Sequence, residues 1–128
     1  MDTMMHLDTH VVVWLYAGLL DKFPLAAQRR LDQETLAISP MVALELQYLY
    51  ETKRTTEPSY LVVRDLESRI GLTVAETAFI DVAAAAASLS WTRDPFDRLI
   101  AAQAVVENVP LLTADRTIRA NLALAVWG

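Results

Sequence analysis

RDPFDRLIAAQAVVENVPLLTAD, residues 93–115, contains a full passage from helix to strand. Asp94 and Pro95 form a cap and first-turn proline pair, because the proline's missing N–H falls where a helix has no internal partner for it. The helix is expected to end near Asn108. Residues 109–113 then read as a strand, 115–120 as a short helix and 122–127 as a last strand. The same alternation recurs toward the N terminus. Residues 4–7 are a short apolar run that stops at Asp8-Thr9, a good helix-capping pair, and the residues before them read as a loose end. Residues 11–16 pose a conflict: three consecutive valines favour a strand, whereas the cap and Gly18 favour a short helix, which is the reading adopted. Residues 24–33 read as a helix, 36–39 as a strand, and Ser39-Pro40 opens a strong helix to about Lys53. After the break at Glu57-Pro58-Ser59 come a helix over 59–70 stopped by Gly71, a strand over 72–74, and an alanine-rich helix over 77–89. Such alternation implies an α/β fold with a short, mainly parallel sheet covered on both faces. Ligands in such folds gather outside the carboxyl ends of the strands.

The chain has 128 residues, 54% of them hydrophobic, enough for one core and a single domain over 1–128. No apolar run reaches the roughly 18 residues that span a membrane. Residues 1–6 contain Asp2 but no Lys or Arg, unlike a secretory signal. Cysteine is absent, which excludes disulfides and thiolate metal sites and fits a cytoplasmic location. The net charge of −5 argues mildly against a protein that coats nucleic acid. Arg93, Arg98, Arg116 and Arg119, however, fall in the C-terminal third, among the acids singled out below.

Asp8 ends the first strand, Asp97 lies in the first turn of its helix, and Asp115 follows the strand over 109–113. Each has an ordinary alternative: Asp8 and Asp115 as N-caps, Asp94 and Asp97 as a cap and a dipole-compensating acid. Glu45 is harder to explain that way. It shares a helical stripe with Met41 and Leu49 and is flanked by Leu44 and Leu46, so it lies on or beside the buried face. A desolvated carboxylate there needs an arginine partner or a metal. Several acids at one sheet edge repel one another unless a cation joins them, and Mg²⁺ or Mn²⁺ prefers such oxygen ligands. The pattern points to metal-assisted phosphoryl chemistry.

Other polar and aromatic residues carry less. His6 and His10 bracket Asp8, with His6 expected on the same strand face as Asp8, but two histidines without further spacing are weak ligand signals. Trp14, Trp91 and Trp127 read as core or interface fillers, and Asp81 as solvent-facing.

LDTH (residues 7–10), ALEL (43–46), RDPFDRLIAAQA (93–104) and LLTAD (111–115) together resemble the PIN-domain proteins, and most closely their VapC-type toxins. The resemblance covers essentially the whole chain, and DPFDRLIAAQA is its most specific part. It implies a three-layer α/β/α sandwich and metal-dependent endonucleolytic cleavage of RNA with Mg²⁺ or Mn²⁺. Asp8 and Asp97 match the principal metal ligands, and Glu45 and Asp115 match the acids that complete the site, directly or through water. Thr9 and Thr113 match hydroxyls lining it, and Arg98 a phosphate contact. Asp94 matches an acid common in this subgroup, though its cap role suffices to explain it. The resemblance also implies a cognate antitoxin and frequently a homodimer, for which Tyr48, Leu49, Tyr60, Leu61 and Val62 offer apolar surface or core. A phosphoacceptor receiver domain would need a late lysine, and the only lysines are Lys22 and Lys53. A dehalogenase-like phosphatase would need an acid where His10 stands. A nuclease acting on DNA, or a binding module with a vestigial acidic pocket, stays open.

Overall fold

A computed structural model describes residues 3–128. The expected loose start falls largely on Met1 and Asp2, outside those residues. Thr3 is already tied down, its hydroxyl donating to the Glu34 carboxylate.

Five strands, β1 (Met4–Leu7), β2 (Thr35–Ile38), β3 (Thr73–Val74), β4 (Leu111–Leu112) and β5 (Ala125–Val126), form one sheet in the order β3-β2-β1-β4-β5. Every pairing is parallel. The helices are α1 (Thr9–Ala17), α2 (Leu25–Gln33), α3 (Pro40–Glu51), α4 (Ser59–Ile70), α5 (Phe79–Ala86), α6 (Pro95–Glu107) and α7 (Arg116–Asn121). From β1 the chain winds outward through β2 and β3, then returns to the other side of β1 and winds the opposite way through β4 and β5. Right-handed crossovers therefore put helices on both faces, an α/β/α sandwich. The strand order reverses between β1 and β4, so the crevice such folds use for ligands opens at the carboxyl ends of these two strands.

The sequence conflict at residues 11–16 resolves as helix. Asp8 accepts from the Thr9 N–H and Gly18, at φ 73°, closes the other end with N–H bonds to Leu15 and Trp14 carbonyls. Val11 and Val12 are fully buried, so tertiary packing overrides their strand preference. Ser39 and Asp94 cap α3 and α6 as their sequences foretell.

Several elements depart from expectation, β4 among them, which pairs over Leu111–Leu112 within the expected 109–113. β5 is two residues rather than six because Leu122 closes α7 through the Ile118 carbonyl and its own carbonyl accepts the Ala125 N–H in a turn. The helix over Leu20–Lys22, a single 3-10 turn, has no sequence signal. The alanine-rich helix stops at Ala86, short of Leu89. Arg98 explains the stop: its Nε and a terminal nitrogen donate to the carbonyls of Ala86 and Ala87, each at 3.2 Å. An Arg98→Met protein is expected to lose about 1–2 kcal/mol of stability, read as a lower melting temperature, because those carbonyls lose charged donors. An unchanged melting temperature would remove this capping role.

The core is continuous from Met5 and Leu7 through Ile38, Leu46, Leu66, Ile100, Leu111 and Ile118. Of the five residues singled out near α3 and α4, Leu49 and Val62 are buried, whereas Tyr48, Tyr60 and Leu61 are exposed. Among the described residues no helix is long and apolar enough to cross a membrane.

Candidate active site

Asp8 leaves β1 at the strand-order reversal, its N–H still bonded to the Leu112 carbonyl of β4 at 3.0 Å. Only 6% of it is exposed. One carboxylate oxygen accepts from the Thr9 N–H at 2.8 Å, the other from the Thr113 hydroxyl at 2.6 Å. Capping α1 therefore uses only one of its oxygens. Burial pushes the Asp8 carboxyl above the usual range, against these hydrogen bonds.

Thr113 also connects Asp8 to Asp115, because its hydroxyl oxygen accepts the Asp115 N–H at 3.0 Å. Asp115 in turn caps α7 through the Ile118 N–H at 2.9 Å. Glu45 reaches the same crevice from α3. The arginine partner considered for it is absent among the described residues, and the Thr9 hydroxyl donates to it instead at 2.5 Å. Burial, and then the charge of Asp8, push Glu45 up. Thr9 and Thr113 are fully buried and commit their hydroxyls to carboxylates. They line the crevice and orient its acids. Arg98, expected as a phosphate contact, is likewise occupied with α5.

Asp97 projects from the first turn of α6, where Asp94 caps the helix through the Phe96 and Asp97 N–H groups. Its carboxyl is pushed up to about 7 by burial and then by the charges of Asp94, Asp8, Asp115 and Glu45. Acids drawn from β1, α3, α6 and the end of β4 thus act on one another at one place. Every charge that perturbs Asp97 is negative, so the crevice is short of a cation, and its donors are the hard oxygens that Mg²⁺ and Mn²⁺ favour. Among the described residues no three acidic or imidazole groups lie close enough together, as they stand, to hold a metal ion between them. An open set suits Mg²⁺, which uses one or two carboxylates and completes its shell with water and phosphate oxygens.

His10 is the residue the sequence reading undervalued. It is exposed and lines, with Asp8, Trp14, Ala114 and Asp115, a cleft of about 210 Å³. Its charge opposes the upward shift of Asp8 and Glu45. The only signal was its place two residues after Asp8. His6 lies elsewhere: its Nε2 is 2.9 Å from Glu107 Oε1, inside a cluster with Gln103 and Thr77. Burial pushes Glu107 up, but hydrogen bonds from Gln103, His6 and Thr77 outweigh it and hold the carboxyl below its usual range.

Residues 5–121 match the PIN domain family. A curated relative, ribonuclease VapC22 of Mycobacterium tuberculosis, is 30% identical over 122 residues, 93% of this chain and 92% of the relative. In fold, the chain is similar to the crystal structure of VapBC2 from Rickettsia felis bound to a DNA fragment from its promoter. That likeness has 21% identity, covers 98% of this chain and 100% of the other, and has a TM-score of 0.69. It is also similar to a toxin–antitoxin complex from Klebsiella pneumoniae, at 17% identity, 95% of each chain and a TM-score of 0.66.

Proposed function

This chain is a PIN-domain protein of the VapC type, and from that premise we propose that residues 1–128 form one metal-dependent endoribonuclease unit, the toxin of a toxin–antitoxin pair. The observation that carries the reading is the crowding of Asp97 by Asp8, Glu45 and Asp115 at the strand-order reversal. Asp8 and Asp97 would hold Mg²⁺ or Mn²⁺, with Glu45 and Asp115 completing the set directly or through water. A divalent cation bound there would neutralise the cluster, polarise the scissile phosphate and lower the pKa of an attacking water.

The chain's own residues prepare that place. Thr113 holds Asp8 and the Asp115 backbone in fixed relation, and Thr9 sets the Glu45 carboxylate. Fixing these rotamers in advance removes motion that would otherwise be ordered as substrate binds. The buried walls strengthen each electrostatic interaction by excluding water. The absence of cysteine fits a cytoplasmic site of action. Tyr48, Tyr60 and Leu61 on α3 and α4, with Phe79 and Ile80 on α5, give exposed apolar surface for the cognate antitoxin and for a homodimer.

Purified protein with Mn²⁺ is expected to cut structured RNA, to leave matched DNA intact, and to stop when EDTA is added. Cleavage that continues undiminished in EDTA would overturn the metal role, and cutting of DNA in preference to RNA would overturn the ribonuclease.

A further inference from the structure

We propose that the cleft between α2, α7 and β5 is a second nucleic-acid subsite, which holds the RNA strand adjoining the scissile phosphate; this rests on the ribonuclease reading above. Arg30 of α2, Arg119 of α7 and Trp127, which follows β5, line a cleft of about 420 Å³ together with Ala26, Ala125 and Gly128. That volume falls in the range that takes a ligand group the size of a nucleotide.

Position supports the assignment. Leu112 of β4 and Val126 of β5 are paired in register, so Trp127 leaves the sheet at the same edge as Thr113 and Asp115. The Trp14 ring lines the acidic cleft and lies 6.0 Å from the Trp127 ring. Trp14 and Trp127, with Phe23 packed against both, therefore join the two clefts through one aromatic cluster.

Charge supports it as well. A chain of net charge −5 with Asp8, Glu45, Asp94, Asp97 and Asp115 grouped at the cleavage site repels the phosphates on either side of the scissile one. Those phosphates need fixed cations; Arg69 is engaged with Asp65, Arg93 with the Ser90 carbonyl and Arg98 with α5, and of the remaining arginines Arg30 and Arg119 are the two that line this cleft. Arg119 has no ion pair among the described residues. Arg30 has only Glu34, at 3.9 Å, the long limit of an ion pair, and its side chain is 41% exposed. Two guanidinium groups beside an indole face match a backbone phosphate and its base, the first by charged hydrogen bonds and the second by stacking.

The test uses the Asp97→Asn protein, in which cleavage is expected to be slow enough for a binding titration, and a fluorescein-labelled single-stranded oligoribonucleotide of about ten residues. Anisotropy titrations run from roughly 50 to 200 mM NaCl. Adding Arg30→Gln and Arg119→Gln together is expected to weaken binding about tenfold and to flatten the logarithmic salt slope by about 1.4, two phosphate contacts' worth. Trp127→Leu should weaken binding several-fold and leave that slope unchanged. In the cleaving protein the arginine pair should raise KM and leave kcat alone. Equal affinity and equal slope in the arginine variant overturn the proposal, as does a failure of the parent to bind RNA. A pair of substitutions that spares RNA binding but weakens a protein partner reassigns the cleft to that partner, and so overturns it too. Intact cleavage with binding indifferent to the arginines sinks the subsite alone, whereas RNA binding that needs them in a wild type that cuts nothing sinks the ribonuclease reading instead.

Discussion

Asp97→Asn is expected to lower RNA cleavage by roughly 10²–10³-fold, about 3–4 kcal/mol of transition-state stabilisation, with the fold intact. The substitution keeps the size and hydrogen-bonding shape of the side chain and removes the charge on which four other acids converge. The helix start survives because Asp94, one turn earlier, makes the capping bonds to the Phe96 and Asp97 N–H groups. Asp94→Asn supplies the contrast. Asparagine caps as well as aspartate, so that variant should stay within about tenfold of the parent in rate. Steady-state cleavage of one RNA by the three proteins, with their melting temperatures, reads both effects. Full activity in Asp97→Asn would refute its role as a ligand, and equal losses in the two variants would mean that the net charge near the start of α6 matters and not the carboxylate at 97.

What could be read from the chain alone divides along the range of the interactions. The starts of α3 and α6 were legible because Ser39-Pro40 and Asp94-Pro95 satisfy their own helix ends within a few residues. The parallel sheet followed from strand and helix alternation, and the placing of Asp8, Asp97 and Asp115 at element ends followed from that sheet. Glu45 was legible as a buried acid from its stripe on α3, but its partner was not. The Thr9 hydroxyl comes from 36 residues away, and nothing in either segment names the other. The same holds for Arg98, whose contacts with Ala86 and Ala87 depend on how α5 lies against α6, and for His6, whose partner Glu107 is 101 residues distant. Thr113 was marked as a site hydroxyl, but its bond to Asp8 depends on how β1 and β4 pair. Arg30 carried no signal at all, since it meets Arg119 only where α2, α7 and the end of β5 line one cleft.

Without metal, the protein is expected to melt at a lower temperature at pH 8 than at pH 5.5, with Mn²⁺ reversing that order. Asp97 has its folded pKa raised from 3.8 to about 7, so between those values the folded state holds more protons than the unfolded one. Stability is then fully present below 3.8 and is lost as the pH rises to about 7. Burial raises Asp8 and Glu45 in the same direction, whereas Glu107, held low, contributes the opposite trend but has completed it near its unfolded value. Between pH 5.5 and the folded value of about 7 the shift corresponds to an upper limit of about 2 kcal/mol; because Asp97 is only half-buried, solvent screening reduces it to roughly 0.5–1 kcal/mol. That is on the order of 2–4 °C in melting temperature for a chain of this length. Metal and protons compete for the same oxygens, so Mn²⁺ at about 100 times its dissociation constant should add about 2.7 kcal/mol at pH 8 and far less at pH 5.5. Asp97→Asn removes the largest titrating group from the cluster, and its EDTA profile should be flatter and its alkaline melting temperature higher than the parent's. Scanning calorimetry in EDTA and in Mn²⁺ at the two pH values decides the matter. A Mn²⁺ increment that does not grow with pH would show that the ion binds without displacing protons from these carboxylates, and the metal would then have to lie elsewhere.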